Sequence, residues 1–197
     1  MTAARAARDG VPGPGRVPAP EPLPAAALDA HCHLDLIEEP TGEVLAAARA
    51  AGITRVITVG VDVPSSRWSA DIANPGQGVY AAVAVHPNET ASVASSPAHR
   101  DEVLAEIAKL AALPQVCAVG ETGLDYYRDH APPEVQRDWF RAHIDIAKQT
   151  GKALMIHDRD AHDDVLAILE AEGPPERVVF HCFSGDTAMV KRCADAG

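Results

Sequence analysis

Short apolar runs and longer amphipathic segments alternate along this chain from Leu28 onward. Each run is rich in β-branched residues and is followed by a polar or ionisable residue, as is typical of a strand that ends at the surface. The runs cover residues 28–30, 55–59, 79–85, 116–119, 153–156 and 177–180. Because they are apolar nearly throughout, the pattern predicts strands that are buried on both faces.

The segments between the runs carry helix signals at their ends. Thr41 is placed to cap a segment that stops at Gly52, and Ser96 with Pro97 offers a cap and a first-turn proline. Further helices are predicted from Pro133 to 151, over 160–172 and from 186 onward. Since parallel strands need a helical crossover, this alternation predicts a parallel α/β sheet.

The number of strand–helix units predicts the architecture. A TIM-type (β/α)8 barrel needs eight units and about 250 residues. Residues 27–197 are therefore predicted to form such a hydrolase barrel with about six βα units present, incomplete at the C-terminus. An open doubly wound sheet, which would be complete as written, is the alternative. Residues 1–26 are rich in Ala, Pro and Arg and lack large apolar side chains, which predicts a disordered tail.

Composition and charge narrow the class of protein. The 197 residues are 47% hydrophobic with a formal net charge of −11, which indicates a globular chain without a broad basic surface for nucleic acid. A site with divalent cations makes its own positive field, so a phosphate substrate stays compatible with this charge. No apolar run is long enough for a membrane span and no signal-peptide core is present, so we expect a cytoplasmic protein without membrane contact.

Ionisable side chains stand at the ends of the predicted strands, where β/α barrels build their active sites. His31 and His33 are separated by one residue, so the period of a strand turns both imidazoles to the same side. Glu121, His157 and His181 end the later runs. Imidazoles suit zinc, manganese, iron or nickel, and a carboxylate can bridge two cations. Together these side chains form a ring around the ends of the predicted strands. This ring predicts a binuclear centre that activates water for hydrolysis.

Other polar residues receive lesser roles. Asp62 and His86 end the second and third runs and join the same ring. The remaining histidines, at 99, 130, 143 and 162, fall in helical or loop segments, where packed or solvated histidines are common. The four cysteines form no CxxC pair, which predicts reduced thiols. Cys32 and Cys182, beside the histidines, are weaker ligand candidates.

Five stretches together resemble the TatD family of metal-dependent deoxyribonucleases, within the amidohydrolase-like barrel enzymes. They are residues 29–35 (DAHCHLD), 85–87 (VHP), 120–127 (GETGLDYY), 157–161 (HDRDA) and 181–185 (HCFSG). The resemblance implies a TIM-type barrel that hydrolyses phosphodiester bonds in DNA, often as an exonuclease. It implies two divalent cations (Zn, Mg, Mn or similar), DNA or another phosphodiester as the substrate, and no obligate protein partner.

The resemblance also implies residue roles. The implied metal ligands are His31, His33, Glu121, His157 and His181. The first two would hold one metal, the last two would hold the second, and Glu121 would bridge them as the catalytic residue. The implied substrate contacts come from His86, Arg159, Asp125 and Tyr126, with the first two placed to meet phosphate and Tyr127 also at the rim.

Two positions depart from the family pattern. Asn88 stands where the family usually has a histidine, so it is not assigned as a phosphate contact. The last ligand of the family, an aspartate that helps to position or deprotonate the attacking water, is expected beyond Gly197.

An amidohydrolase or lactonase acting on a small substrate is the enzymatic alternative, because the same ligands can polarise a carbonyl. A catalytically incomplete fragment is the third possibility.

Overall fold

The computed structural model describes residues 19–93, 96–128 and 130–196. The predicted disordered tail lies outside the described residues up to residue 18. Residues 19–26 have no regular structure and are exposed, and the Leu23 N–H donates to the Ala51 carbonyl at 2.9 Å. The disorder of the tail therefore stays a prediction.

Six strands of the described chain form one parallel sheet. They are β1 (Ala27–Cys32), β2 (Ile53–Val59), β3 (Val79–Val83), β4 (Val116–Asp125), β5 (Ala153–Arg159) and β6 (Val178–Phe180). The strands lie side by side in chain order, from β1 to β6. A doubly wound sheet reverses its order at a switch point, so the sequential order excludes that alternative. The prediction of a β/α barrel with six units present is confirmed.

Helices connect the strands and lie at α1 (Thr41–Ala50), α2 (Val63–Ile72), α3 (Thr90–Val93), α4 (Pro97–Ala111), α5 (Pro133–Thr150), α6 (His162–Glu172) and α7 (Thr187–Asp195). The predicted cap at Ser96 is confirmed, since its Oγ accepts the His99 N–H at 3.3 Å. The predicted cap at Thr41 is wrong, because Thr41 is itself the first helical residue and Pro40 takes the cap position. None of the helices in the described part of the chain combines the length and apolar character needed to span a bilayer.

Helix α2 is not among the predicted helices, and Asp62 is its N-terminal cap. The Asp62 Oδ1 accepts the Ser65 N–H at 2.8 Å, and the Ser65 hydroxyl accepts the Asp62 N–H at 3.1 Å. This reciprocal arrangement is a capping box. Asp62 therefore caps a helix instead of joining the predicted ring. An aspartate followed two residues later by a proline carried this signal in the sequence.

The core lies between the central strands and the helices, and α5 contributes its largest side chains. Trp139, Phe140 and Ile144 are at most 2% exposed and pack in one cluster with Leu154 and Ile156 of β5. Strands β1 and β6 are the edges of the described sheet and are partly exposed. The prediction of burial on both faces is therefore wrong for the two edges and holds for the centre.

His143 of α5 is fully buried and joins this helix to the sheet. Its Nδ1 lies 2.8 Å from the Trp139 carbonyl, so Nδ1 carries the ring proton. Its Nε2 accepts the Val85 N–H at 3.2 Å. Burial lowers the pKa of His143 to about 4. The ring is a neutral structural link within the core.

Candidate metal centre

His31 and His33 stand at the carboxyl end of β1 with their Nε2 atoms 3.3 Å apart. The Nδ1 of His33 lies 2.9 Å from the Val59 carbonyl of the neighbouring strand. Because a carbonyl only accepts hydrogen bonds, this Nδ1 carries the proton and the Nε2 keeps its lone pair. The Nδ1 of His31 is buried without a hydrogen-bond partner among the described residues. The Nε2 atoms of the two rings therefore converge on one point, and that of His33 presents a lone pair there, as a ligand of a cation does.

Glu121 of β4 faces histidines on two sides. Its Oε2 lies 3.2 Å from the His31 Nε2, and its Oε1 lies 2.7 Å from the His157 Nδ1. Burial opposes ionisation of this carboxyl group, but its contacts with His157 and His31 outweigh burial and hold the pKa of Glu121 well below its usual range. Glu121 is therefore an ionised carboxylate, only 5% exposed, with each oxygen directed at a different histidine.

His157 of β5 lies between Glu121 and Asp125. Its Nε2 is 3.1 Å from the Asp125 Oδ2, and because an ionised carboxylate only accepts, Nε2 carries the ring proton. The Nδ1 faces the Glu121 Oε1 at 2.7 Å, and because this carboxylate also only accepts, a proton on Nδ1 joins the two side chains when no cation is bound. Burial lowers the pKa of His157, but the Glu121 and Asp125 carboxylates outweigh burial and leave the pKa raised. A positive charge, supplied by a second proton or a metal cation, is favoured at this point.

His86, after β3, reaches the centre as a donor. The Asn88 N–H donates to its Nδ1 at 3.1 Å, so the neutral ring carries its proton on Nε2, 3.3 Å from the His157 Nδ1. Burial lowers the pKa of His86 to about 4 and keeps the ring neutral. This tautomer presents an N–H, which suits an anionic oxygen better than a cation.

Two ligand groups within the described residues fit divalent cations, and they share one carboxylate. Their members are His31, His33 and Glu121 in the first group, and His86, Glu121 and His157 in the second. In each group the ligand atoms lie within 4.8 Å of one another. Neutral imidazoles with one ionised carboxylate are the ligand set that zinc and similar ions prefer. The first group, and Glu121 with His157 from the second, therefore fit a metal centre with Glu121 in the middle, whereas His86 presents an N–H to it.

Comparison with known families supports this interpretation. A family model described as "TatD related DNase" matches residues 28–197. The chain belongs to the TatD family. The "Uncharacterized metal-dependent hydrolase TatD" of Mycobacterium tuberculosis is 46% identical to this chain over 179 residues, which are 86% of this chain and 66% of that protein.

Two further relatives show what this TatD-family chain is similar to and how much of their length it covers. The "3'-5' ssDNA/RNA exonuclease TatD" of Klebsiella pneumoniae is 38% identical over 157 residues, which are 79% of this chain and 57% of that protein. The crystal structure of a TatD homologue from Escherichia coli superposes with a TM-score of 0.76 at 26% identity, covering 86% of this chain and 65% of the homologue. The chain therefore spans about two thirds or less of the length of these relatives.

His181, which the family resemblance implies as a ligand, lies at the same edge of the sheet but contacts a histidine ring instead of Glu121. The ring of His181, after β6, stacks on the ring of His31 with centroids 3.6 Å apart and 16° between planes. Burial lowers the pKa of His181, so the ring is neutral. Its nitrogens belong to neither ligand group of the described residues.

Two implied substrate residues of the family sit outside the ligand groups. The Tyr126 hydroxyl donates to the Asp164 Oδ2 at 2.6 Å and accepts from the Arg137 guanidinium at 3.2 Å. This hydroxyl is therefore directed to helices α5 and α6. Arg159, the last residue of β5, is exposed, and its Cζ lies 4.0 Å from the centre of the Tyr127 ring.

Residues without an assigned role also shape this TatD-family site. The Asn88 side chain donates to the Asp125 Oδ2 at 3.0 Å. No role is predicted for Asn88 from the sequence, because it departs from the family pattern. Burial, with Asp29 and Asp35 nearby, raises the pKa of Cys32 to about 12, so this thiol stays protonated and is a poor ligand. Cys182 is exposed, and all four cysteines are free thiols.

Proposed function

We propose that this chain hydrolyses phosphodiester bonds in DNA by two-metal catalysis and acts as an exonuclease on single-stranded ends. The observation that carries the proposal is the position of Glu121, whose oxygens lie 3.2 Å from His31 and 2.7 Å from His157. A carboxylate that faces two separate histidine groups is suited to bridge two cations. The exonuclease name of the Klebsiella pneumoniae relative supports nucleic acid as the substrate.

The metal ligands would come in two sets. His31 and His33 would hold one cation, His157 would hold the other, and Glu121 would bridge them. His181, whose ring stacks on that of His31, would have to turn its ring to join the second set. Divalent cations such as Zn²⁺, Mg²⁺ or Mn²⁺ supply an activated water and neutralise the charge that develops on the phosphoryl oxygens. The Val59 carbonyl accepts the Nδ1–H of His33 and Asp125 accepts the Nε2–H of His157, so a cation that replaced the proton between His157 and Glu121 would meet a lone pair of each ring.

Two other residues would bind and orient the phosphate. The Nε2–H of His86, 3.3 Å from the His157 Nδ1, is placed to donate to a phosphate oxygen beside the ligands. The exposed Arg159 offers a planar cationic fork at the rim, two residues along β5 from His157. Because the net charge of the chain is −11, attraction of a polyanion has to come from such local positive groups.

The decisive experiment compares the wild-type chain with Glu121→Gln, which keeps the shape of the side chain and removes its charge. We expect the variant to lose bound metal and to hydrolyse single-stranded DNA at least about 100-fold more slowly. Metal per chain is measured by mass spectrometry, and hydrolysis by gel electrophoresis. Glu106→Gln, in an exposed ion pair with Arg67, is the matched control. Full metal content and full activity in Glu121→Gln would refute the proposal.

The same preparations decide the substrate class. A panel of lactones and cyclic amides is assayed beside the oligonucleotide, because the ligand set can also polarise a carbonyl. We expect hydrolysis of the oligonucleotide and no turnover of the panel. Turnover of a lactone or amide without turnover of DNA would replace the phosphodiesterase by an amidohydrolase or lactonase.

A further inference from the structure

An exposed aromatic ring and a guanidinium form a stack beside the metal centre. The Arg159 Cζ lies 4.0 Å from the centroid of the Tyr127 ring. Tyr127 is 64% exposed, so the ring face away from Arg159 is open to solvent. Within 19–93, 96–128 and 130–196, no carboxylate forms an ion pair with Arg159. The stack therefore offers a π surface and a cation together.

Hydrogen bonds and strand register attach this stack to the centre. The Tyr127 N–H donates to the Asp125 Oδ1 at 3.1 Å, and the other oxygen of Asp125 accepts from His157 at 3.1 Å. Arg159 follows His157 by two residues on β5, so both side chains leave the same side of the strand, about 6–7 Å apart along it. A nucleic-acid strand whose phosphate lies at the centre would therefore pass the Tyr127 ring within its adjoining nucleotides.

We propose that Tyr127, supported by Arg159, is a stacking platform for an unpaired base of single-stranded nucleic acid. Every base has a π face, so this contact is independent of sequence, and it requires a base that is free of its duplex neighbours. The guanidinium covers one ring face, and its N–H groups would donate to the adjoining phosphate. The platform rests on the proposed phosphodiesterase function and assigns a base-binding residue to it.

The test measures binding of a fluorescein-labelled short oligothymidylate by anisotropy. We expect Tyr127→Ala to raise the Kd by about 5- to 100-fold, as loss of one base–aromatic stack does. Tyr127→Phe keeps the ring and is expected to bind like the wild type. Arg67→Ala, which removes a cation from the distant helix α2, is the charge control and is expected to leave the Kd unchanged.

A second probe separates stacking from a general structural effect. The same oligonucleotide with abasic residues at its 3' end should bind the wild type as weakly as the intact probe binds Tyr127→Ala. Tyr127→Ala should not distinguish the two probes. The platform would be overturned if Tyr127→Ala bound the intact probe with wild-type affinity, or if the substitution weakened binding of the intact and abasic probes equally. It would also be overturned if the wild type did not bind the oligonucleotide.

Hydrolysis of methyl para-nitrophenyl phosphate distinguishes failure of the platform from failure of the proposed function. This phosphodiester lacks a nucleobase, so its hydrolysis by the wild type reports the proposed function independently of the platform. If no phosphodiester is hydrolysed but Tyr127→Ala still weakens oligonucleotide binding selectively, the platform stands and the catalytic proposal fails. If hydrolysis proceeds and Tyr127→Ala binds normally, the platform fails alone.

Discussion

The Nε2 of His157 lies 3.1 Å from the Oδ2 of Asp125, and this contact determines which ring nitrogen faces Glu121. Burial opposes ionisation of Asp125, but the Arg128 N–H and the Asn88 amide donate to it and hold its pKa below the usual value. Because the ionised carboxylate accepts the Nε2–H, Nδ1 is the nitrogen that faces Glu121 and would face a cation bound there. Asp125 thus positions the proposed ligand His157 through the far side of its ring.

Asp125→Asn tests this positioning. The amide keeps the volume and one acceptor for the Arg128 N–H, but it places an NH₂ group against the Nε2–H of His157. The ring should then move its proton to Nδ1, and we expect zinc affinity to fall by about 10- to 100-fold. Titration calorimetry measures the affinity, with the exposed Asp138→Asn as control. Unchanged zinc affinity in Asp125→Asn would show that the tautomer is set by something else.

Gly123 allows β4 to approach β5 closely. Its φ is +133°, a conformation that side chains disfavour, and a Cβ at this position would overlap the His157 carbonyl oxygen. We expect Gly123→Ala to lower the free energy of unfolding by about 2–4 kcal/mol and to weaken metal binding, because His157 moves with its strand. Urea denaturation measures the first effect, and titration calorimetry the second.

Gly151→Ala is the matched control for that prediction. Gly151 also has a positive φ, +64°, but nothing lies within 4 Å of the added Cβ. Only the cost of the left-handed backbone, about 1–2 kcal/mol, should appear, and metal binding should be unchanged. Equal losses in the two variants would mean that the close contact between β4 and β5 contributes nothing.

His143 should make stability depend on pH. Burial lowers its pKa to about 4, whereas in the unfolded chain the pKa is about 6.5. Between these values the unfolded chain binds a proton that the folded chain does not, so stability falls as the pH falls. We expect this residue to remove about 3 kcal/mol from the free energy of unfolding between pH 6.5 and pH 4.

His143→Gln isolates this contribution. Glutamine keeps a donor and an acceptor for the contacts of His143 but does not titrate. Urea denaturation across this pH range should show a loss of stability about 3 kcal/mol smaller in the variant than in the wild type. His99→Gln, at an exposed position on α4, should keep the wild-type dependence. A variant His143→Gln with the wild-type pH profile would contradict the assignment.

The sequence by itself determined the class of fold and the edge of the sheet that carries the chemistry. Apolar runs alternate with amphipathic segments, and this period is sufficient to predict parallel strands with helical crossovers. Parallel strands bring their carboxyl ends to one edge, so His31, His33, Glu121 and His157 could be predicted as neighbours from their positions alone. Asp62 was misassigned because a residue after a strand is also the residue before the next helix.

Only the tertiary structure decided the strand order and the role of each ring nitrogen. Local periodicity is the same in a barrel and in a doubly wound sheet, so the order from β1 to β6 had to come from strand pairing. The tautomers of His33 and His157 depend on Val59 and Asp125, which other strands supply. The stack of Tyr127 on Arg159 likewise exists because the register of β4 on β5 brings distant parts of the chain together.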